Sequence, residues 1–257
     1  MEEEKYESLW ESIHSSVVKK GNLVIKHAKL PEMYMNEGLS LLKIPEHPMI
    51  VKMLHADKEK QLIFFQYVPG NRVLKNMYDK EYVVSIIHQL LLAVLHCHQH
   101  DVYHRDINPI SVMVTPDNKL VLLNFGFSTS EKTLKDGETT IYGHPLFLSP
   151  EYQYLVKQPN LFEMNDVFST ACLMHYLLHQ KAPYEGLGAK LMQEFTKEYS
   201  LELLFKKPPT LASPYPWIDK LIIKMLKGIV ESRPNIQECV FEFEEGLKFW
   251  KENVTAL

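Results

Sequence analysis

The chain has 257 residues, of which 46% are hydrophobic and 23% are charged, a composition typical of an ordinary globular protein. A formal net charge of −4 argues against a general nucleic-acid or membrane-surface binder. The three cysteines, Cys97, Cys172 and Cys239, are widely separated, which favours a reducing compartment over a disulfide framework. No apolar run approaches the roughly 20 residues that span a bilayer, and the acidic residues 1–5 do not resemble a signal peptide. We therefore expect a cytoplasmic or nuclear protein without a membrane or nucleic-acid partner.

The first third of the chain predicts short strands and one helix. Residues 17–26 carry β-branched residues on both sides of a Lys-Gly-Asn turn, which predicts a hairpin. Residues 49–54 and 61–66 predict two more strands, and the Pro-Gly-Asn sequence at 69–71 predicts a turn. The helix is predicted over Pro31–Lys43, weakened by Gly38, with an apolar side formed by Tyr34, Leu39, Leu41 and Leu42.

The remainder of the chain is predominantly helical in pattern. A long apolar stretch at 82–98 without glycine or proline predicts a buried helix. Further helices are predicted over 167–179, 214–226 and 236–250. A small strand-rich lobe followed by a larger helical lobe predicts an α+β protein with a cleft at the junction, and such clefts are preferred ligand sites.

One motif combination suggests a family. His104-Arg105-Asp106 is followed five residues later by Ser111 and then by Asn124-Phe125-Gly126. This order resembles the catalytic core of a protein kinase, in which His-Arg-Asp is followed by Asn and then by Asp-Phe-Gly. The resemblance extends over most of the chain. It implies a single bilobal protein-kinase-like domain over 1–257, with an N-lobe at about 1–66, a hinge at about 66–71 and a C-lobe at about 72–257.

The resemblance implies a nucleotide pocket between the lobes. Lys26 corresponds to the lysine that contacts the α- and β-phosphates, and Glu37 to its partner on the following helix. Read without the resemblance, these two residues would be interpreted as an ordinary surface lysine and glutamate. Phe65 resembles the residue at the back of the adenine pocket, and the segment 66–70 resembles the hinge. The implied nucleotide-binding residues are Lys26, Glu37, Phe65, Gln66, Val68 and Met113.

The resemblance also assigns roles around the catalytic loop. Asp106 corresponds to the residue that accepts the proton of the substrate hydroxyl, while Asn108 replaces the usual lysine. Arg105 corresponds to the residue that receives a phosphorylated side chain of the activation segment, here 124–151. The structural positions that the resemblance implies are an aromatic spine pair, His104 and Phe125, an ion pair, Glu151 with Arg233, and a helix-start aspartate that anchors the catalytic loop, Asp166.

Several positions depart from the family pattern, and all of them concern phosphate and metal. Residues 12–17 contain no glycine where a glycine-rich phosphate loop would lie. Mg²⁺ prefers hard oxygen ligands, commonly carboxylates, but Asn124 supplies a neutral amide and Ser111 a short hydroxyl. We expect these two metal positions to be degraded and Mg²⁺ binding to be weak or absent. His96, Cys97, His98 and His100 match no common zinc spacing, so no metal site is predicted.

The leading hypothesis is therefore a pseudokinase that regulates or scaffolds a protein partner, for example an active kinase or a kinase substrate. No cofactor is required in this interpretation, and any ATP would be held weakly by Lys26 and the hinge. The alternative is an atypical active Ser/Thr kinase that uses Asp106 as catalytic base. A third interpretation is an interaction scaffold that binds no nucleotide.

Overall fold

The structure is a computed structural model that describes residues 6–72, 80–153, 155–184 and 211–254. The acidic residues 1–5 and part of the predicted C-lobe (73–79, 154, 185–210 and 255–257) lie outside the described residues. Within the described parts, a strand-rich N-terminal lobe precedes a mainly helical C-terminal lobe. The expected α+β architecture is therefore confirmed.

The N-terminal lobe is built on an antiparallel sheet of five strands in the order β1-β2-β3-β5-β4. The predicted hairpin is formed by β2 and β3, and Gly21 occupies its turn with a φ of 57° that glycine adopts without steric cost. The predicted strand at 49–54 begins later than expected, because Ile50 instead bridges to Leu122 of the other lobe. The strands are β1 (Glu7–Glu11), β2 (Ser15–Lys20), β3 (Leu23–Ala28), β4 (Met53–Asp57) and β5 (Leu62–Gln66).

Helix α1 spans Pro31–Lys43, as predicted. A proline at its start and Lys43 in its last turn suit the geometry and the dipole of the helix. The predicted apolar side is partly wrong: Tyr34 is buried, but Leu39 and Leu42 are 58% and 73% exposed. The buried face instead contains the polar Glu37 and Ser40, because this face meets the segment that follows Leu123 rather than a purely apolar core.

The C-terminal lobe begins with a three-stranded sheet, β6 (Asn71–Arg72), β7 (Val112–Val114) and β8 (Leu120–Leu122). Helix α2 (Lys80–Gln99) packs beneath it and contributes Ile87, Leu90 and Leu91, which are fully buried. By length and composition alone, the stretch Tyr82–Gln99 could cross a membrane, contrary to the expectation that no apolar run is long enough. Here it is a core helix of the lobe, half of it buried by the neighbouring elements.

Helix α4 begins six residues before the predicted position. The prediction treated Asp166 as a helix-start residue, but the helix begins at Leu161 and Asp166 lies inside it, fully buried. The helix extends further toward the N-terminus than predicted because its apolar first turn, with Leu161 and Phe162, packs into the core. After α2, the helices of the described C-terminal lobe are α3 (Pro150–Gln153), α4 (Leu161–His179), α5 (Pro216–Met225) and α6 (Ile236–Val254). Single 3₁₀ turns lie at Phe125–Phe127 and Val230–Ser232.

Candidate functional site

A buried ion pair joins strand β3 to helix α1 at the back of the cleft between the lobes. The Nζ atom of Lys26 lies 2.6 Å from Oε2 of Glu37, and the two side chains are 7% and 1% exposed. The other carboxylate oxygen of Glu37 accepts a hydrogen bond from the backbone N–H of Phe125 at 3.2 Å. These are not an ordinary surface lysine and glutamate. The pair ties the N-terminal lobe to the start of the segment that follows β8.

The predicted nucleotide-binding residues surround one cavity. This cavity, here called the hinge cavity, has a volume of about 300 Å³. Its walls are largely apolar, with Val17 and Val24 from the N-terminal lobe and Leu123 from the C-terminal lobe, as suits a flat heterocycle. The six residues brought together on its lining are Lys26, Glu37, Phe65, Gln66, Val68 and Met113.

Asp166 organises the loop that carries His104-Arg105-Asp106. Its carboxylate accepts hydrogen bonds from the backbone N–H groups of His104 at 2.6 Å and Arg105 at 2.8 Å. It also accepts one from Nε2 of His98 at 3.0 Å. These bonds hold the backbone of Arg105 in a left-handed conformation with a φ of 68°, which residues other than glycine rarely adopt. The anchoring role does not depend on a helix N-terminus.

His104 and Phe125 stack at the base of the cleft. Their ring centroids are 4.8 Å apart in an edge-on arrangement. Nε2 of His104 donates to the carbonyl of Leu123 at 2.8 Å, and the ring is almost fully buried. Burial lowers the pKa of His104, so the ring is neutral at physiological pH. This stack fixes the start of the 124–151 segment against the catalytic loop.

A second buried ion pair lies farther from the cleft. The guanidinium of Arg233 meets both carboxylate oxygens of Glu151, at 2.7 and 3.2 Å. Its remaining N–H groups donate to the backbone carbonyls of Met164 and Lys227. A buried charge is tolerated only when it is paired and fully hydrogen-bonded. This pair therefore holds the end of the 124–151 segment to helix α4 and to the approach to helix α6.

The family model for the protein kinase domain matches residues 12–242. This chain belongs to the protein kinase family. It is 28% identical over 211 residues to a protein named as a serine/threonine-protein kinase of Acanthamoeba polyphaga mimivirus, covering 76% of this chain and 73% of that protein.

Two plant relatives are also similar. CBL-interacting serine/threonine-protein kinase 19 of Arabidopsis thaliana is 28% identical over 229 residues, which is 85% of this chain and 45% of that protein. CBL-interacting protein kinase 32 of Oryza sativa subsp. japonica is 28% identical over 236 residues, which is 88% of this chain and 51% of that protein. The chain therefore spans about half the length of these plant kinases.

Asp106 stands at the kinase catalytic-base position, and its carboxylate already accepts hydrogen bonds from groups of the same chain. Its Oδ1 atom accepts from Nδ2 of Asn108 at 2.7 Å and from the backbone N–H of His144 at 3.1 Å. Gly143 makes this approach possible, because its φ is +112° and an added Cβ would lie 2.6 Å from the carbonyl oxygen of Arg105. Burial raises the pKa of Asp106 to about 7, although the two hydrogen bonds act in the opposite direction.

The two kinase metal positions, Ser111 and Asn124, carry no carboxylate. Ser111 is fully buried, and its hydroxyl donates to the carbonyl of Asn108 and accepts from the N–H of the same residue. Asn124 lines the cleft, where its Nδ2 reaches the carbonyl of Ile110 at 3.5 Å. Among the described residues, no group of three His, Cys, Asp or Glu side chains could hold a metal ion. The donor set therefore does not fit Mg²⁺.

The connection between β1 and β2 replaces the glycine-rich loop of a kinase. The hydroxyl of Ser12 accepts hydrogen bonds from the backbone N–H groups of His14 at 3.2 Å and Ser15 at 3.0 Å. Amides used in this way are not free to bind phosphate. The ring of His14 packs against Phe127 with centroids 5.8 Å apart. The segment 12–15 is therefore a closed turn.

Arg105 forms an ion pair with a carboxylate that was not predicted from the sequence. The sequence predicted a phosphorylated partner, but Nη2 of Arg105 contacts Oε1 of Glu138 at 3.1 Å. The same guanidinium donates to the hydroxyl of Tyr152 and lies over the rings of Tyr142 and Phe162. The only available signal was an acidic residue in the middle of the segment 124–151, which no motif singles out.

The histidine cluster at the end of α2 serves packing and hydrogen bonding. His98 binds Asp166, and Nδ1 of His100 donates to the carbonyl of His96 at 2.8 Å. The ring of His96 stacks on His47 with centroids 4.3 Å apart. Cys97 is fully buried, and burial raises the pKa of its thiol, so it is an unreactive core residue.

Proposed function

We propose that this kinase domain is a pseudokinase that regulates or scaffolds another protein without efficient phosphoryl transfer. The observation that supports the proposal is that the residues at the catalytic-base and metal positions of the cleft are either hydrogen-bonded within the chain or lack the expected carboxylate. Asp106 is capped by Asn108 and His144, Ser111 is turned into the loop, and Asn124 stands where a kinase has a carboxylate. The fold-supporting ion pairs are complete at the same time.

The chemistry explains why these positions matter most. Phosphoryl transfer depends on positioning and on stabilising charge around the transferred group, with little covalent work for the protein. Loss of a stabilisation of roughly 4 kcal/mol slows a reaction about a thousandfold. The neutral amide of Asn124 does not replace the carboxylate that holds metal against phosphate, and the buried hydroxyl of Ser111 does not replace the amide of the second metal position. No cofactor is required for the proposed role, and Mg²⁺ binding is weak or absent.

An active Ser/Thr kinase is the second candidate, favoured by specific observations. Asp106 is retained, the Lys26–Glu37 pair is formed, and His104 and Phe125 are stacked. Two of the relatives named above carry the words serine/threonine-protein kinase in their names. In this alternative Asp106 would accept the proton of a substrate hydroxyl after the cap from His144 has moved away.

The partner in the proposed role is a protein, such as an active kinase or its substrate. The plant relatives are named for an interaction with another protein, and the acidic net charge does not favour nucleic acid. We extend only the general feature, a protein partner, to this chain. The proposed setting is cytoplasmic or nuclear, without membrane insertion, because the apolar stretch of α2 is used as a core helix.

Thermal unfolding with ATP separates the two candidates. The protein is heated with ATP in EDTA, with ATP and Mg²⁺, and with ATP and Mn²⁺, beside a variant that carries Asn124→Asp and Ser111→Asn. The pseudokinase proposal predicts no additional stabilisation of the wild-type chain by either metal. A metal-dependent rise of several degrees in Tm would instead support the active kinase.

A further inference from the structure

Arg72 is a cation at the mouth of the cleft that no family motif assigned. It belongs to β6, the short strand that follows the hinge. It lines the hinge cavity and also an adjoining cavity of about 450 Å³ that contains Asp106 and Asn108. Lys26, Asn124, Trp10 and Val17 are the other residues common to both cavities. Arg72 therefore lies at the boundary between the hinge side and the catalytic-loop side.

The position of Arg72 is maintained by an aromatic ring of the opposite lobe. Its guanidinium carbon lies 4.8 Å from the ring centroid of Trp10 on β1. A guanidinium stacked in this way is attracted by the face of the ring, while its N–H groups project from its edge. A planar fork of donors held at a cavity wall is suited to bidentate binding of a phosphate.

The charge of Arg72 has no partner in the described part of the chain. No carboxylate of residues 6–72, 82–153, 155–184 or 211–253 forms an ion pair with it, whereas Lys26 is neutralised by Glu37. Burial lowers the pKa of Arg72, as expected for a guanidinium that has lost water without gaining an anion. It remains charged at physiological pH.

We propose that Arg72, supported by Trp10, is a phosphate ligand that lets the cleft bind a nucleoside polyphosphate without metal. The inference rests on the proposed function, in which the metal positions no longer act. The apolar hinge cavity suits the base, and Arg72 and Lys26 on the shared boundary suit the phosphates. Asn124 and the closed turn at 12–15 offer no charge for that purpose. The guanidinium thus takes over charge compensation that a bound cation supplies in metal-dependent sites.

The test is isothermal titration of the whole chain in EDTA with ATP, adenosine and tripolyphosphate. Arg72→Gln removes the charge and Arg72→Lys removes the planar fork. The matched control is Lys20→Ala, because Lys20 lies over Tyr6 in a cation–π pair of the N-terminal lobe and lines neither cavity. Tm without ligand is recorded for every variant, so that a folding defect is distinguished from a binding defect.

The wild-type chain should bind ATP in EDTA, and Arg72→Gln should raise the Kd at least about tenfold. Arg72→Lys should be intermediate, while adenosine binding and the Lys20→Ala variant should match wild type. The inference is overturned if ATP in EDTA does not bind, or if Arg72→Gln binds it as wild type does. Tripolyphosphate binding as tight as ATP binding would overturn the nucleotide as occupant. A Mg²⁺-dependent phosphoryl transfer would overturn the proposed function alone, with the Arg72 result read independently.

Discussion

The two sides of Asp106 differ in how completely they keep the architecture of a kinase. Behind the catalytic loop, Asp166 holds two backbone N–H groups, and His104 stacks on Phe125. In front of the loop, Ser111 bonds to its own loop and the segment 12–15 forms a closed turn. The supporting side is complete, and the side that would face a phosphate is altered.

This difference shows that the kinase fold and kinase chemistry depend on separable groups. The supporting groups are buried charges, whose loss leaves an uncompensated partner inside the protein. The residues at the altered metal positions, Ser111 and Asn124, are neutral, so a substitution there leaves no buried charge without a counter-charge. A chain can therefore change the second set while the fold remains, which is the pattern that the proposed pseudokinase role requires.

The largest expected effect comes from the supporting side. Glu151→Gln leaves the guanidinium of Arg233 buried without its counter-charge, and we expect a loss of about 3–5 kcal/mol in the free energy of unfolding. Chemical denaturation measures it. Glu242→Gln is the matched control, because Glu242 pairs with Lys224 at 2.7 Å on the surface, and it should cost at most about 1 kcal/mol. Equal effects of the two variants would show that the buried pair does not support the fold.

The second prediction is a smaller effect in the opposite direction: replacing Asp106 by Asn should stabilise the fold relative to wild type as the pH rises. Its pKa of about 7 lies above the ordinary value of 3.8, so the folded state binds the proton more tightly than the unfolded state. The resulting stability is complete below pH 3.8 and is lost as the pH rises through about 7. Asp106→Asn stays neutral and can still accept the bonds from Asn108 and His144.

Denaturation at several pH values tests this shift. The stability of Asp106→Asn relative to wild type should increase by about 1–3 kcal/mol from pH 4 to pH 8. Asp117→Asn is the control without pH dependence, because the hydrogen bond from Lys119 lowers the pKa of Asp117 to about 2. This carboxylate is therefore ionised in both the folded and the unfolded chain over most of this range, and the difference between Asp117→Asn and wild type should change little from pH 4 to pH 8. A constant difference between Asp106→Asn and wild type across this pH range would refute the shifted pKa.

The smallest effect is expected in the segment 124–151. Glu138→Ala removes the carboxylate that meets Arg105, and we expect a cost of about 1 kcal/mol and faster cleavage of this segment in limited proteolysis. Glu131→Ala in the same segment removes only a surface pair with Lys135 and should leave the cleavage rate unchanged. Cleavage of Glu138→Ala at the wild-type rate would mean that Arg105 does not order the segment through Glu138.

The supporting ion pairs were easier to predict from the sequence than the contacts of the loops around the cleft. The family motifs led to Lys26 and Glu37, and to Glu151 and Arg233, because the ordered motifs indicate partners that are distant in the chain. Helix α1 was predicted with its bounds, but Leu39 and Leu42 were placed on the wrong face, because periodicity alone does not show that a helix buries Glu37 and Ser40.

The contacts of single side chains in loops were not predictable. Glu138 reaches Arg105 through the path of a long segment, and Arg72 reaches Trp10 from the other lobe. Neither contact has a spacing rule. The resemblance implied that Asp166 anchors the catalytic loop, and the structure shows its hydrogen bonds to that loop. Its expected place at a helix start was wrong, because the apolar turn that extends helix α4 to Leu161 was not recognised in the sequence.

The measurement that tests the central claim most directly is phosphoryl transfer from labelled ATP, to the chain itself and to a generic protein substrate. It is made with Mg²⁺ and with Mn²⁺, for the wild-type chain beside Asp106→Asn. The proposed loss of catalysis predicts that both proteins give the same background incorporation. A wild-type signal that Asp106→Asn abolishes would contradict it and would establish an active kinase that works with an altered metal site.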